Sequence, residues 1–384
     1  MKLPPGYLGK GFRFGAEFHG KDETQNGNRV CKLNKSLYGL KQAPRQWYAK
    51  LSSALINYGY RQSKTDHTLF THQSTKGFVA ILVYVDDLIV TRSNLELIVE
   101  EKKYLDTQFH MKDMGELRYF LGIEVDRTKR GIFLSQKKYV KDILNEYNLS
   151  DCKPLRLPMD CHVKLTHSTR IPLEHPEVYQ RLVGKLIYLT ITRPDIAFTV
   201  HNLSQFMHSP TSAHFQAAKR VLRYLSGSSD QGILLSSDKG AELKAYCDSD
   251  WGGCPITRRS TSGFCILLEA EYKSMALTIC EVLWIKQLFK DLGIQVGEGI
   301  PIYCDNQAAL SIAANPVQYE RTKHIEIDCH FIREKVKDGS VRPTYVPGKD
   351  QIVDIFTKVL PVAQQQLLSK LGVQSLSSSL EGEY

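Results

Sequence analysis

Two consecutive aspartates lie between two apolar segments, and this pattern constrains the fold more than any other part of the chain. Residues Phe78 to Val83 are apolar, Tyr84-Val85-Asp86-Asp87 follow, and the chain continues with Leu88 to Val90. Apolar runs of this length are typical of buried strands, and the polar residues between them are typical of a sharp reversal. The sequence therefore predicts a β-hairpin with Asp86 and Asp87 at its tip.

The two carboxylates at this tip indicate a cation-binding site. Adjacent carboxylates repel each other and lose hydration near a packed core, so the pair is costly unless a cation neutralises it. Oxygen ligands of this kind suit Mg²⁺, which is usually held by one or two carboxylates together with substrate phosphates. The alternative is a solvated turn, because Asp is common in turns.

Composition narrows the class of protein. The chain has 384 residues, enough for two or three domains, and its 50 Lys and Arg against 41 Asp and Glu give a charge of +9, which favours a polyanionic partner. Nine cysteines are scattered without a CxxC pair, so neither a disulfide framework nor a zinc ribbon is indicated, and a reducing compartment is expected. No apolar run approaches about 18 residues and the N-terminus has no apolar signal core, so we expect a protein that is neither secreted nor membrane-spanning.

The periodicity of the first part predicts an α+β layer. A helix with Trp47, Leu51 and Leu55 at helical spacing precedes the hairpin. The predicted elements after the hairpin are a helix from Leu95 to Leu105, a strand pair joined at 128–131, a basic amphipathic helix over 136–149 and a Pro-bearing linker over 151–176.

Residues 177–226 are predicted to be helical and carry a basic face. Phe215, Ala218, Leu222 and Leu225 form an apolar stripe, and the opposite face carries Lys219, Arg220 and Arg223. Two interpretations remain open: a solvated basic face, or contact with the phosphates of a nucleic acid.

A second α/β unit follows and carries four acidic residues in similar settings. Its predicted elements are strands over 243–247, 263–268, 300–304 and 341–346, a helix over 271–292 and another from Asn306. Carboxylates at strand ends and helix starts can converge on one edge of a sheet, where two metals about 4 Å apart can activate a water. The acidic residues are Asp248, Glu271, Asp305 and Asp354, with Asp250 and Glu269 as alternatives. Each one taken alone can also be a helix cap or a surface charge.

Nine segments, spread over nearly the full length of the chain, resemble the segments of a known protein family. They read VCKLNKSLYGLKQAPRQWY, ILVYVDDLIV, MKDMGELRYFLGIEV, LVGKLIYLTITRPDIAF, AAKRVLRYLSG, YCDSDWGG, IYCDNQAAL, RTKHIEIDCHFIREKV and YVPGKDQIVDIFTK. The chain resembles the reverse transcriptase and RNase H region of copia-type LTR-retrotransposon Pol polyproteins. The resemblance implies copying of RNA into DNA and degradation of the RNA strand of the hybrid, with Mg²⁺ or Mn²⁺ as cofactor. The implied partners are an RNA template, a DNA primer, the RNA–DNA hybrid and deoxynucleotides, in the cytoplasm or nucleus, with no membrane.

The same resemblance assigns roles to residues. Asp86 and Asp87 match the metal-binding pair of the polymerase palm, and Asp248, Glu271, Asp305 and Asp354 match the acidic set of RNase H, with Asp248 and Asp305 as metal ligands. The residues that match the segment lining the template and nucleotide site are Tyr38, Gly39, Lys41, Gln42 and Arg45. The basic face of residues 177–226, and not the resemblance, makes Lys219, Arg220 and Arg223 the candidates for contact with nucleic acid.

The resemblance also implies an α+β architecture with five parts. They are a truncated palm and thumb with reduced fingers over 1–150, a linker over 151–176, a helical connection over 177–240, an incomplete RNase H-like α/β domain over 241–360 and a C-terminal tail over 361–384.

Two departures from the family bear on activity. The segment MKLPPGY resembles a point downstream of the strand that carries another palm aspartate, and none of Glu17, Asp22 or Glu23 lies in an apolar strand that replaces it. In RNase H, the string ILLEAEY joins two segments that are normally separated by a further edge strand.

The second departure affects the position of the glutamate. A strand of six residues covers about 20 Å, so a second strand that stays paired as far as Leu268 leaves Glu271 at the wrong end of the sheet. Either that strand unravels or the glutamate is misplaced. We therefore expect an impaired or inactive enzyme. The alternative is a non-catalytic, nucleic-acid-binding remnant of a retroelement.

Overall fold

The computed structural model describes residues 39–93, 95–160, 165–166, 171–237, 243–250, 261–265, 272–314, 326–359 and 366–375. The chain divides into two compact units, Met1–Asp113 and Met114–Tyr384. Both units combine helices with sheets, so the predicted α+β class is confirmed. Within the described residues, no helix is both long and apolar enough to cross a membrane.

The described part of the first unit is a four-stranded antiparallel sheet with two helices. Its elements are α1 (Ala43–Tyr58), β1 (Arg61–Gln62), β2 (Leu69–Ser74), β3 (Gly77–Tyr84), β4 (Asp87–Arg92) and α2 (Leu95–Gln108), with the strands in sequence order. Leu51 and Leu55 of α1 are buried against Phe70 and Ile81 of the sheet and Leu105 of α2. The apolar runs that flank the acidic pair thus form the two adjacent strands β3 and β4.

The predicted hairpin is confirmed. Strands β3 and β4 pair from Val79 opposite Arg92 to Tyr84 opposite Asp87, so Val85 and Asp86 form the turn. Val85 has a positive φ of 48°, a conformation that β-branched residues rarely adopt. Strained backbone of this kind occurs most often at functional sites.

The second unit contains a five-stranded antiparallel sheet and a helical bundle. The strands are β5 (Tyr119–Phe120), β6 (Ile123–Thr128), β7 (Gly131–Ser135), β8 (Gln231–Ser236) and β13 (Val373–Ser375), in the spatial order β13-β8-β7-β6-β5. Strand β13 lies in the range predicted to be a C-terminal tail. It pairs with β8 through Val373 opposite Ile233.

The helices between β7 and β8 form one apolar core. They are α3 (Lys137–Glu146), α4 (Pro176–Leu189), a 3₁₀ turn (Pro194–Ile196), α5 (Ala197–Ser204) and α6 (Ser212–Ser226). Buried residues at helical spacing fill this core, among them Leu182 and Leu186 of α4 and Leu222 and Leu225 of α6. The helical prediction for residues 177–226 is therefore confirmed.

A third sheet lies in the second unit and has the order β10-β9-β11-β12. Its strands are β9 (Ala245–Asp250), β10 (Thr261–Cys265), β11 (Ile300–Cys304) and β12 (Val341–Tyr345). The helices that accompany it are α7 (Tyr272–Asp291), α8 (Gln307–Ala314), α9 (Glu326–Lys337), α10 (Asp354–Thr357) and α11 (Gln366–Lys370). Strand β9 is antiparallel to β10 and parallel to β11, which is parallel to β12.

The predicted loss of an edge strand stays a prediction, because the residues on both sides of β10 lie outside the described part of the chain. In the described part of the chain, β10 is the end strand, and α7 is the next element along the sequence. Residues 266–271, which include Glu269 and Glu271, lie outside the described residues.

The division of the chain after Asp113 groups β5, β6, β7 and α3 with the later helices. The five domain ranges proposed above remain predictions.

Candidate functional site

The third sheet places two aspartates side by side. Asp248 belongs to β9, and Asp305 follows the last residue of β11. These two strands are parallel, with Cys304 opposite Cys247, so the next residue of each strand lies at the same level of the sheet. The pairing of the two strands therefore brings Asp248 and Asp305 together.

A third carboxylate joins them from α10. Asp354 is the first residue of this short helix. One carboxylate oxygen from each of Asp248, Asp305 and Asp354 lies within 4.8 Å of the other two. The structure thus brings together three of the four acidic residues predicted from the sequence, and the fourth, Glu271, lies outside the described residues. The side chain of the alternative residue Asp250 is also outside them.

Burial and mutual repulsion shape the electrostatics of this cluster. Asp248 is only 3% exposed, and Asp305 and Asp354 are half-buried. Burial, opposed by Lys358 and reinforced by the charge of Asp248, raises the pKa of Asp354 to about 6. Burial and the charge of Asp248 also raise the pKa of Asp305. A divalent cation would relieve this repulsion, and carboxylate oxygens are the ligands that hard cations prefer.

Two buried side chains orient the carboxylates. The Thr357 hydroxyl donates a hydrogen bond to Oδ2 of Asp248. The Gln351 amide Nε2 donates to the Cys247 carbonyl oxygen at 2.5 Å and to Oδ1 of Asp305 at 3.4 Å. Both are almost fully buried, with exposures of 1% for Thr357 and 0% for Gln351.

A lysine also contacts the cluster. Lys358 Nζ donates a hydrogen bond to Oδ1 of Asp354 at 2.7 Å and lies 3.5 Å from Oδ2 of Asp248. Its side chain is 48% exposed. Burial lowers the pKa of Lys358, but the hydrogen bond to Asp354 and the charges of Asp248 and Asp354 outweigh burial, so the pKa is raised from its ordinary value.

Sequence reasoning missed Gln351, Thr357 and Lys358 as parts of this site. Their position in the string YVPGKDQIVDIFTK could have identified them as candidates for the same site, because all three lie within four residues of Asp354. Their contacts with Asp248 and Asp305 join distant parts of the chain. Those contacts depend on the folded sheet and not on local spacing.

The other predicted metal pair is at the hairpin tip of the first unit. Asp86 and Asp87 are exposed, and their side chains form no ion pair or hydrogen bond with the described residues. The neighbouring Tyr84 and Val85 are 50% and 62% exposed. This tip therefore presents two carboxylates and two large side chains to solvent.

The residues predicted to line the template and nucleotide site lie before and within α1. Tyr38 is outside the described residues. Gly39 has a φ of 86°, and Lys41, Gln42 and Arg45 are exposed. Because Gly39 adopts the left-handed region, it permits the tight turn that leads into the helix.

The three basic residues of α6 are less solvated than a free basic face would be. Lys219, Arg220 and Arg223 are half-buried and line a cavity of about 650 Å³. Lys219 Nζ lies 4.6 Å from the centroid of the Phe215 ring, and Arg223 Nε donates to the Lys153 carbonyl oxygen at 3.2 Å. Contact of these three residues with nucleic acid stays a prediction.

Comparison with known proteins identifies relatives over most of the chain. The family described as "Reverse transcriptase (RNA-dependent DNA polymerase)" matches residues 15–161. The "Retrovirus-related Pol polyprotein from transposon RE1" of Arabidopsis thaliana is 41% identical over 99% of this chain. The corresponding polyprotein from transposon TNT 1-94 of Nicotiana tabacum is 34% identical over 89% of it.

The matched lengths show how much of these relatives the chain covers. It spans 26% of the RE1 polyprotein and 28% of the TNT 1-94 polyprotein.

Among solved structures, one similar to this chain is that of the foamy viral protease-reverse transcriptase in complex with double-stranded DNA. Its TM-score is 0.41 and its sequence identity is 14%, and the match covers 79% of this chain and 49% of that one. The sequence relatives decide the family. The chain belongs to the reverse transcriptase region of copia-type retrotransposon Pol polyproteins.

Proposed function

We propose that this chain hydrolyses the RNA strand of an RNA–DNA hybrid with a divalent metal held by Asp248, Asp305 and Asp354. The observation that carries the proposal is the convergence of these three carboxylates within 4.8 Å at one edge of a sheet. Three aspartates at this separation are costly without a cation, because two of them already have raised pKa values.

The chemistry of the donor set supports Mg²⁺ or Mn²⁺ as the metal. All three ligands are carboxylates, which suit hard cations, and no Cys or His joins the cluster in the described part of the chain. Such a metal would supply a polarised water and neutralise charge on the scissile phosphate.

The surrounding side chains prepare the carboxylates for this role. Because Thr357 holds Oδ2 of Asp248, the other oxygen of that carboxylate has a fixed direction. Gln351 donates both to the backbone of β9, at the Cys247 carbonyl oxygen, and to the Asp305 carboxylate. Bracing of metal ligands by neighbouring hydrogen bonds usually matters for metal affinity and activity.

We further propose a polymerase role for the first unit, in which Asp86 and Asp87 hold a divalent metal while an RNA template directs extension of a DNA primer with deoxynucleotides. The exposed hairpin tip and its strained Val85 support this role. The exposed residues Lys41, Gln42 and Arg45 are proposed to contact the template and the nucleotide. The proposed location of the reaction is the cytoplasm or the nucleus.

Hybrid cleavage is proposed to be slower than in relatives with the complete sheet. Cys265 lies opposite Tyr246, two residues from the level of Asp248, and six residues separate Cys265 from Tyr272. Six residues reach about 20 Å when extended, so Glu271 can return to Asp248 only if β10 stops near Cys265. A connection of six residues leaves Glu271 few positions near Asp248, and we therefore propose slower cleavage.

Cleavage of a labelled RNA–DNA hybrid by the full chain tests this proposal. We expect slow, Mg²⁺-dependent cleavage that falls at least about a hundredfold in Asp305→Asn. Asp338→Asn, which neutralises an aspartate outside the cluster, is the matched control and should cleave at the rate of the unaltered chain. Cleavage that survives Asp305→Asn, or that needs no metal, would contradict the proposal.

A second candidate function is non-catalytic binding of nucleic acid. The half-buried Lys219, Arg220 and Arg223 around a cavity of about 650 Å³ favour it. Filter binding of the hybrid at two salt concentrations, beside the cleavage and primer-extension assays, separates the two functions. A remnant binds the hybrid with an affinity that falls steeply with salt and shows neither reaction.

A further inference from the structure

The carboxylate cluster has a cation of its own, the ammonium group of Lys358. Its Nζ contacts two of the three carboxylates, at 2.7 Å from Oδ1 of Asp354 and 3.5 Å from Oδ2 of Asp248. Asp248 and Asp354 are the more enclosed partners, because their side chains are 4% and 14% exposed. The charge of Lys358 therefore acts on oxygens that solvent screens only weakly.

The side chain of Lys358 is also able to move away from the carboxylates of Asp248 and Asp354. Lys358 is the residue directly after α10, and 48% of its side chain is exposed. It lines a cavity of about 40 Å³ together with Asp195 and Tyr224. A flexible four-carbon side chain in this position can move its ammonium group to solvent without rearrangement of the helix.

We propose that Lys358 is a built-in counter-ion of the carboxylate cluster and competes with a divalent metal for the oxygens of Asp248 and Asp354. This inference rests on the proposed metal site and adds a residue that sets its affinity. Lys358 stabilises the fold when no divalent metal is bound, and it weakens metal binding because the incoming ion must displace or tolerate a nearby positive charge.

The alternative role for Lys358 predicts the opposite sign. If Lys358 only positioned Asp354 for the metal, its removal would leave a less ordered ligand and weaker binding. Competition instead predicts tighter binding after removal. The direction of the change in metal affinity therefore decides between the two roles, and no activity measurement is needed.

The test is a titration of the full chain with Mn²⁺, followed by the loss of the free-ion electron paramagnetic resonance signal. Every protein carries Asp86→Asn and Asp87→Asn, so that the hairpin tip binds no metal. In this background we compare Lys358 with Lys358→Met, Lys358→Gln and Lys358→Arg. Lys349→Met is the matched control, since it removes the same charge from an exposed lysine of the same segment. Asp305→Asn reports whether binding occurs at the cluster.

Lys358→Met and Lys358→Gln are expected to bind Mn²⁺ about tenfold more tightly or better, while Lys358→Arg and Lys349→Met bind like the background protein. Thermal melting shows that each variant folds, and without added metal both neutral variants should melt at a lower temperature than Lys358→Arg. Unchanged or weaker Mn²⁺ binding in the neutral variants would overturn the inference. An equal gain in affinity in Lys349→Met would overturn it too. Both results leave the proposed function intact. Absence of binding in every protein would overturn the proposed function and this inference with it.

Discussion

At the scale of single residues, the Asp354 carboxylate opposes folding stability at neutral pH. Asp354 has a folded-state pKa of about 6, above the ordinary value of 3.8, because of burial and the charge of Asp248. The folded protein therefore binds this proton more tightly than the unfolded chain does. The resulting stability is fully present below pH 4 and is lost as the pH rises through 6.

Asp354→Asn should consequently stabilise the protein at neutral pH. In the absence of divalent metal we expect a gain of about 1–3 kcal/mol at pH 7.5, since the amide is not ionised. The gain should shrink at pH 5 and vanish below about pH 4. Urea unfolding at several pH values measures it, and a loss of stability at pH 7.5 would show that burial of this carboxylate is not costly.

The buried ion pair of Arg193 and Asp195 gives a second prediction at this scale. Their side chains are 1% and 2% exposed, and Arg193 Nη2 lies 2.7 Å from Oδ2 of Asp195. Arg193→Met leaves the Asp195 carboxylate buried without its cation and should cost about 3–5 kcal/mol. Arg181→Met, at an arginine that is 60% exposed, is the control and should change stability by less than about 0.5 kcal/mol. Similar small losses from both variants, in urea unfolding, would contradict the prediction.

The positions of Asp305 and Asp354 could be predicted from the sequence because one follows a strand and the other begins a helix, whereas Asp248 lies within β9 and not after the strand predicted over 243–247. The partners of these residues could not. Thr357 touches Asp248, and Gln351 touches Cys247, across more than a hundred residues of chain. No local pattern encodes such contacts, which follow from the packing of α10 beside the completed sheet.

At the scale of elements, the β3–β4 turn is strained at Val85. A β-branched residue at a φ of 48° pays a conformational cost that glycine does not. Val85→Gly should therefore stabilise the hairpin by about 1 kcal/mol. The matched control is Val90→Gly, because Val90 is half-buried within β4 and its replacement should destabilise. Thermal melting compares the two, and a loss of stability in both would contradict the strain.

Two elements show the limits of sequence-based prediction. The hairpin strands were predictable because apolar residues run through both of them. Strand β13, Val373–Ser375, has no alternating pattern and forms because it can pair with the edge of β8. The sequence predicts a tail over 361–384, and the structure places β13 within that range.

At the scale of the whole molecule, the chain divides after Asp113. Residues 110–116 are exposed and belong to no helix or strand. Brief digestion with trypsin should therefore cut after Lys112 or Arg118, both exposed, before it cuts within the helices and strands of the described residues. Lys112→Gln with Arg118→Gln should abolish this cut. Early cleavage inside α1 or α4, with the segment intact, would contradict the division.

In the whole molecule, Asp248, Asp305 and Asp354 are proposed to form one divalent-metal site. The most direct test is a crystal of the full chain soaked in Mn²⁺ and measured for anomalous scattering. We expect a peak about 2.0–2.5 Å from an oxygen of each of the three carboxylates, with Lys358 Nζ moved away from Asp248 and Asp354. Well-ordered carboxylates without a peak between them, at a Mn²⁺ concentration that saturates other sites in the crystal, would contradict it.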